Sequence, residues 1–401
     1  MRTHLLLSLS LLGLTLACRE DAEAPTAPGP SPALATTASA LVFTQVSAGK
    51  AHTCGVALDT RIYCWGLNNS GQLGDGTTTT RLVPVPVATT LRFRQVSAGD
   101  HSTCAITTAS SATGGQTFAM CWGAGPLGGF AFASPTPVFV KSGLPFRQVQ
   151  VGFEHACAVT PDDSAYCWGN NFSGQLGGGD GLSPGPVPSS STPISVIGSH
   201  KFRHVATGYR HTCGVTTDNG LFCWGSNHYG SVGDSSTSEF RSAPTRVAGK
   251  RQYHQVDVGR DYSCAVTLAG RAFCWGAGLQ GQLGNGLTKN ARYPRPVSSS
   301  LSFGRVTAGD FHACAETTTG NRTYCWGPNS AGELGDGTTT DRLTPVRVVG
   351  GLFFNQVSAG GEHTCGKTSA GRAYCWGFNN FGQLGNGTTD NSATPTPVAG
   401  P

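Results

Sequence analysis

The sequence predicts an all-β fold, a seven-bladed β-propeller of four-stranded antiparallel blades. Three observations carry this reading. A cysteine-ending word followed by a Cys-Trp-Gly word returns seven times between Leu41 and Pro401. The period is about fifty residues, the length of one four-stranded propeller blade. Each period holds four short runs of strand character separated by Gly- and Asp-containing turn signals.

The clearest copy runs from Gln356 to Cys365, then Ala373 to Gly377, then Gly382 to Thr388. In the first unit, Phe43–Ala48 reads as a strand closed by Gly49. His52–Ala57 is the second strand and Ile62–Gly66 the third, after a turn near Asp59 and Thr60. Gly71 to Gly76 is a Gly-rich loop. Val83 to Val87 is the fourth strand, and its two prolines put it at a sheet edge, because proline has no N–H to give a ladder.

Ahead of the repeats, Leu5 to Leu16 is an apolar run preceded by Arg2 and His4. It is short for a membrane span and has the form of a secretion signal, assigned to residues 1–17. The stretch Leu14 to Cys18 resembles the lipobox of bacterial lipoproteins, with Thr15 standing where that motif favours Leu. Lipidation of Cys18 is therefore expected, with simple cleavage after Ala17 as the alternative. Residues 18–40, rich in Pro, Ala, Thr and Ser, read as a lipid-anchored disordered linker. The expected location is the outer membrane or cell surface, or otherwise a soluble secreted or periplasmic form.

Charged residues are 12% of the chain, against roughly 25% in average proteins, and 57 residues are glycine. The net charge of +5 comes from scattered Arg and Lys with no basic run, so no nucleic-acid partner is expected. Of the 15 cysteines, all but Cys18 fall two per unit, which suits an oxidising compartment. The pairs are Cys54 with Cys64, Cys104 with Cys121, Cys157 with Cys167, Cys213 with Cys223, Cys264 with Cys274, Cys314 with Cys325, and Cys365 with Cys375. Each pair sits on consecutive antiparallel strands, where facing Cα atoms are about 4.5 Å apart, within reach of a disulfide. The rival is zinc held by His52, Cys54 and Cys64 and their equivalents. Sevenfold repetition in an exported chain favours the disulfides, and no metal or cofactor is expected.

The words Val-Ser-Ala-Gly-x-x-His, Tyr-Cys-Trp-Gly and Gly-Gln-Leu-Gly-Asp-Gly-Thr resemble the repeats of the regulator of chromosome condensation family across residues 41–401. The resemblance implies the seven-bladed propeller, and it allows several functions. Family members include nucleotide-exchange factors for small GTPases, chromatin binders, ubiquitin-ligase modules and secreted bacterial inhibitors. The cysteine pairs depart from the eukaryotic pattern and point to exported bacterial relatives. The last unit ends on Pro395 to Val398 with no following strand, while the first has no preceding one. Ring closure by pairing of this C-terminal strand with the N-terminal blade is the expectation.

Regular positions of a repeat are committed to packing, so function is expected where the repeat breaks. The recurring histidines His52, His101, His155, His211, His312 and His363 read as structural hydrogen-bonding groups, and the seven tryptophans as core between blades. No carboxylate pair, catalytic triad spacing or phosphate loop stands out, so an enzyme is not expected. Unit two lengthens its hairpin around Ser110 and Thr113 and places Phe130 and Phe132 in a loop. Unit three adds a Gly-, Pro- and Ser-rich insertion with Ser183 and Pro186. These six are the candidate binding residues. The leading functional reading is a monomeric, non-catalytic scaffold binding a protein or an envelope polymer. The alternatives are a guanyl-nucleotide exchange regulator of a small GTPase, by the resemblance, and a propeller-type hydrolase or lyase.

Overall fold

The structure, a computed structural model, describes residues 41–110, 113–125, 133–179 and 189–401. Among these residues there are 28 strands in seven four-stranded antiparallel sheets, and no α-helix. The first blade shows the pattern. Its inner strand is Phe43–Ala48, followed by His52–Ala57, Ile62–Gly66 and the outer strand Arg81–Pro86. The two middle strands are buried along their whole length, so they carry apolar and small residues without alternation. The outer strand is the most exposed, and its prolines blunt a free edge.

Cys54 stands directly opposite Cys64 in the ladder of the middle strands and is bonded to it, with the Cα atoms 4.1 Å apart. The same bridge joins Cys104 to Cys121, Cys157 to Cys167, Cys213 to Cys223, Cys264 to Cys274, Cys314 to Cys325 and Cys365 to Cys375. Every bridge lies within one blade. Bridge, tryptophan and inner-strand aromatic together make a core element, as where Phe43 meets Trp65 at 5.8 Å between ring centroids.

The expected closure by a shared strand does not occur. The strand Ser392–Pro397 pairs with Ala373–Gly377 of its own unit, and the first blade takes all four strands from the first unit. In the first unit the loop after the Cys-Trp-Gly word leans on the next blade through Gln72 and Gly74 and then returns, so Tyr63 meets Pro86 and Cys64 meets Val85 within the unit. Among the described residues no strand is left for the neighbouring sheet.

The ring closes instead by side-on latches between inner strands. Gln45 gives its amide N–H to the Val96 carbonyl and takes the Val96 N–H on its own oxygen, both at 2.9 Å. Gln95 holds Val149 in the same way, and Gln356 holds Val46 across the seam between the last unit and the first. A second latch runs from Ala98 N–H to Ser47 Oγ and, at the seam, from Ala48 N–H to Ser358 Oγ, each 3.0 Å. At one end of the inner strands Gly49, Gly99, Gly152, Gly208, Gly259, Gly309 and Gly360 form a ring. A Cβ on any of them would collide with the carbonyl oxygen of the next, Gly360 against Gly49 included.

Candidate functional site

Five of the six repeated histidines, with the buried tryptophans, join blade to blade, while His101 packs its ring against Phe153. His52 Nε2 donates to Thr103 Oγ1 of the next blade at 2.8 Å, and that hydroxyl donates to the Gln72 carbonyl, which also receives Trp122 Nε1–H. The same relay links His155 to Thr212, His211 to Ser263, His312 to Thr364, and His363 to Thr53 at the seam. Burial drives the His52 imidazole down to about 3, helped by the neighbouring His101. It is held neutral, with Nδ1 facing no donor. In the fifth unit Tyr262 replaces the histidine, and its hydroxyl donates to the His312 carbonyl at 2.6 Å where the sixth unit offers Ala313 in place of a hydroxyl residue. The histidine Nε2 atoms are taken up in these joints, and the Nδ1 atoms of His52, His155 and His363 are sealed from solvent. Among the described residues no cluster of His, Cys, Asp or Glu is placed to hold a metal ion. The turn residues Asp75 and Asp336 are likewise engaged, each binding a threonine two residues on and an arginine.

Of the six candidate binding residues, Phe130, Phe132, Ser183 and Pro186 lie outside the described residues. Thr113 is buried at the tip of the lengthened hairpin, where it accepts the Ser110 N–H at 2.9 Å and donates to the Ser110 carbonyl at 3.0 Å. That pair closes the hairpin upon itself.

The variable residues of the repeat gather elsewhere, at the two mouths of the central channel. One position after the ring glycine stand Lys50, Asp100, Phe153, Tyr209, Arg260 and Asp310, and all of these but Arg260 line a common recess. Phe153 and Tyr209 stack with centroids 4.2 Å apart, and Arg260 lies over Tyr209 at 4.7 Å and over Phe311 at 5.5 Å. Lys50 covers the far side of Phe153 at 5.8 Å and pairs with Asp100 at 3.1 Å. The result is a half-exposed ladder of cations and rings running over the mouth. Asp310 beneath it is pushed up to about 6 by burial and by Asp100, against the pull of Lys50 and Arg260. Loops leaving the third strands lead to the same face, and they present Phe172, 78% exposed, and Leu279, 65% exposed.

The opposite mouth is cationic. Arg94, Arg147 and Arg203, each following the inner-strand aromatic, line a cavity of about 670 Å³ with Arg305 and Lys367. Residues fifty apart in the chain become neighbours here, so charge that is dispersed in the sequence is concentrated in space. Both mouths escaped sequence reasoning. The signal was present as two variable columns of the repeated word, the residue after the aromatic and the residue after the glycine.

A closed ring of seven self-contained blades, with its regular side chains absorbed in the joints and its variable ones collected on the axis, defines a propeller of the regulator-of-chromosome-condensation type. The chain belongs to that family: the RCC1-like domain matches residues 118–401, and the regulator of chromosome condensation (RCC1) repeat matches 59–106 and 43–72. It is 31% identical over 336 residues to the ultraviolet-B receptor UVR8 of Arabidopsis thaliana, covering 80% of this chain and 74% of the receptor. It is 29% identical over 359 residues to the E3 ubiquitin-protein ligase HERC2 of Homo sapiens, covering 84% of this chain but 7% of the ligase. The fold matches Prp20p of Saccharomyces cerevisiae with a TM-score of 0.67 at 21% identity, over 79% of this chain and 80% of that one.

Proposed function

We propose that this chain is a non-catalytic binding propeller, exported and tethered to the cell envelope through Cys18, that takes a protein partner on its glycine-ring face. The observation that carries the reading is the ladder of Phe153, Tyr209, Arg260 and Phe311. Aromatic rings and arginine are the side chains that dominate binding energy at protein interfaces, and here four blades pre-order them over one recess. The exposed Phe172 and Leu279 extend that face with apolar surface. Prp20p, of the same fold, has been characterised for binding to Gsp1p and histones, which supports a protein as the kind of partner. The paired cysteines and the apolar leader support export.

Photo-crosslinking in intact cells tests this. A crosslinker at Tyr209 should trap a discrete partner band, and one at the exposed Leu58 on the opposite face should not. Replacing Arg260 with Ala should reduce capture by at least tenfold, the scale of one interface hot spot. Equal capture at both positions, or capture indifferent to Arg260, would rule the face out. Fractionation of a Cys18→Ser variant tests the tether separately, and unchanged membrane association would refute it.

A further inference from the structure

We propose that the cationic mouth is a binding site for a compact polyanion bearing several phosphate groups, held between Arg94, Arg147, Arg203, Arg305 and Lys367. This site lies at the end of the channel away from the ladder of rings and does not depend on it. The cavity of about 670 Å³ lies within the range of roughly 300–1,000 Å³ for small-ligand sites. Its lining includes no carboxylate, while Asp257 and Glu316 line the adjoining recess that shares Arg305 and His204. Two of the guanidiniums are held in place from behind. Arg147 uses Nη2 on Asp163 at 2.6 Å and on the Phe202 and Arg203 carbonyls. Arg203 is fixed by Asn219 and by the Tyr253 and His254 carbonyls. Arg94 and Arg305 are exposed and form no ion pair with any described residue.

The sixth blade gives the strongest argument. Its latch position, Gln45 in the first blade and Gln356 in the seventh, holds Arg305. The lost acceptor is replaced from the adjacent strand: Glu316, buried, takes the Val357 N–H that a glutamine at position 305 would have taken. The joint is thus preserved while a cation is freed to stand at the axis. In the fourth blade the latch glutamine is replaced by His204, which accepts from Gln148 on Nδ1 and donates from Nε2 to the Val256 carbonyl, and is therefore neutral. Burial, with the fields of Arg305, Arg147 and Arg203, holds that imidazole down at about 4. Guanidiniums gathered around one recess suit the oxygens of phosphate, and a ring of like charge focuses field into it. A monovalent anion would leave most of the charge uncompensated; several phosphates in one molecule would not.

The test is titration calorimetry of the full chain with inorganic tripolyphosphate at low salt, with chloride and acetate as monovalent comparisons. Tripolyphosphate should bind one-to-one, weaken as salt rises, and leave acetate and chloride without measurable heat. Arg94→Gln and Arg305→Gln should each weaken binding about tenfold, the scale of one charge-assisted contact. Lys201→Gln, an exposed charge outside this mouth, should leave it unchanged. Both arginines are exposed, so circular dichroism should report the same fold for each variant. Binding that ignores both substitutions, or falls equally with Lys201→Gln, overturns the site, as does absence of binding by the unaltered chain. An Arg260→Ala chain that still binds tripolyphosphate normally separates this mouth from the opposite one.

Discussion

Acidification should unfold this ring steeply, and the buried histidines set the slope. His52, His155 and His363 are driven down to about 3, and His204, His211 and His312 to about 4, in each case chiefly by burial. In the unfolded chain an imidazole titrates near 6.5. Between pH 6 and 4.5 the unfolded chain therefore binds about five protons that the native ring refuses. A group whose folded pKa is depressed stabilises the native state above its unfolded pKa and loses that contribution as pH falls, so these six act against the fold on acidification. Three carboxyls act the other way. Burial raises Asp257 and Asp310 to about 6 and Glu333 to about 7, so the native ring holds protons there that the unfolded chain has released. Asp261 and Glu316 lean in the same direction, again through burial. The balance is a net uptake of about two to three protons on unfolding, or roughly 3–4 kcal/mol of lost stability per pH unit at about 1.4 kcal/mol per proton. That is a large share of the roughly 5–15 kcal/mol available to a folded protein. Urea unfolding at pH 7, 6 and 5, with disulfides intact, measures the slope through the shift in midpoint. His52→Gln, which keeps an N–H near Thr103 and cannot titrate, should flatten it by about one proton, or 1.4 kcal/mol per unit. A flat profile from pH 6 to 5, or a His52→Gln slope equal to the parent's, would refute the assignment of neutral buried imidazoles.

Two further outcomes follow from the joints. Thr103→Val keeps the shape of the side chain but leaves the His52 N–H buried without an acceptor, so it should cost about 1–3 kcal/mol in equilibrium unfolding; a change below half a kcal/mol would mean the relay is dispensable. Gly309→Ala drives a Cβ against the Gly360 carbonyl and should lower stability by about 1–3 kcal/mol through overpacking, whereas Gly304→Ala, with its nearest neighbour 3.8 Å away, should be nearly neutral by the same measurement.

The blades were legible because each carries its own pattern. Phe43–Ala48, His52–Ala57 and Ile62–Gly66 form the strands their apolar runs and turn residues announce. The outer strand begins earlier than expected, at Arg81, because Asp75 in the preceding loop binds that arginine and draws it to the sheet. The mode of closure was not legible. A proline-bearing strand can complete its own sheet or the next one with the same alternation, and here it completes its own. The mouths were hidden for a different reason. A scattered arginine such as Arg94 or Arg305 has no local periodicity to mark it, and becomes part of a site only when the ring brings inner strands together. Likewise Glu316 reads as an ordinary strand residue until it is seen replacing a glutamine of the neighbouring strand.

The seam between the last unit and the first carries the same contacts as every other joint. Gln356 grips Val46, His363 meets Thr53, Trp65 donates to the Gln383 carbonyl, and Phe43 N–H meets the Gly371 carbonyl as Phe93 N–H meets that of Thr60. With every disulfide confined to one blade, no covalent bond singles that joint out except the missing linker. Chain order is thus a label on the circle rather than part of its architecture. Cutting the chain between Ala88 and Arg92 and joining Pro401 to Leu41 would move the gap by one blade and keep the latches between inner strands. The joint without a linker is also where a pulling force or a denaturant would first part the circle, wherever along the chain that gap is put.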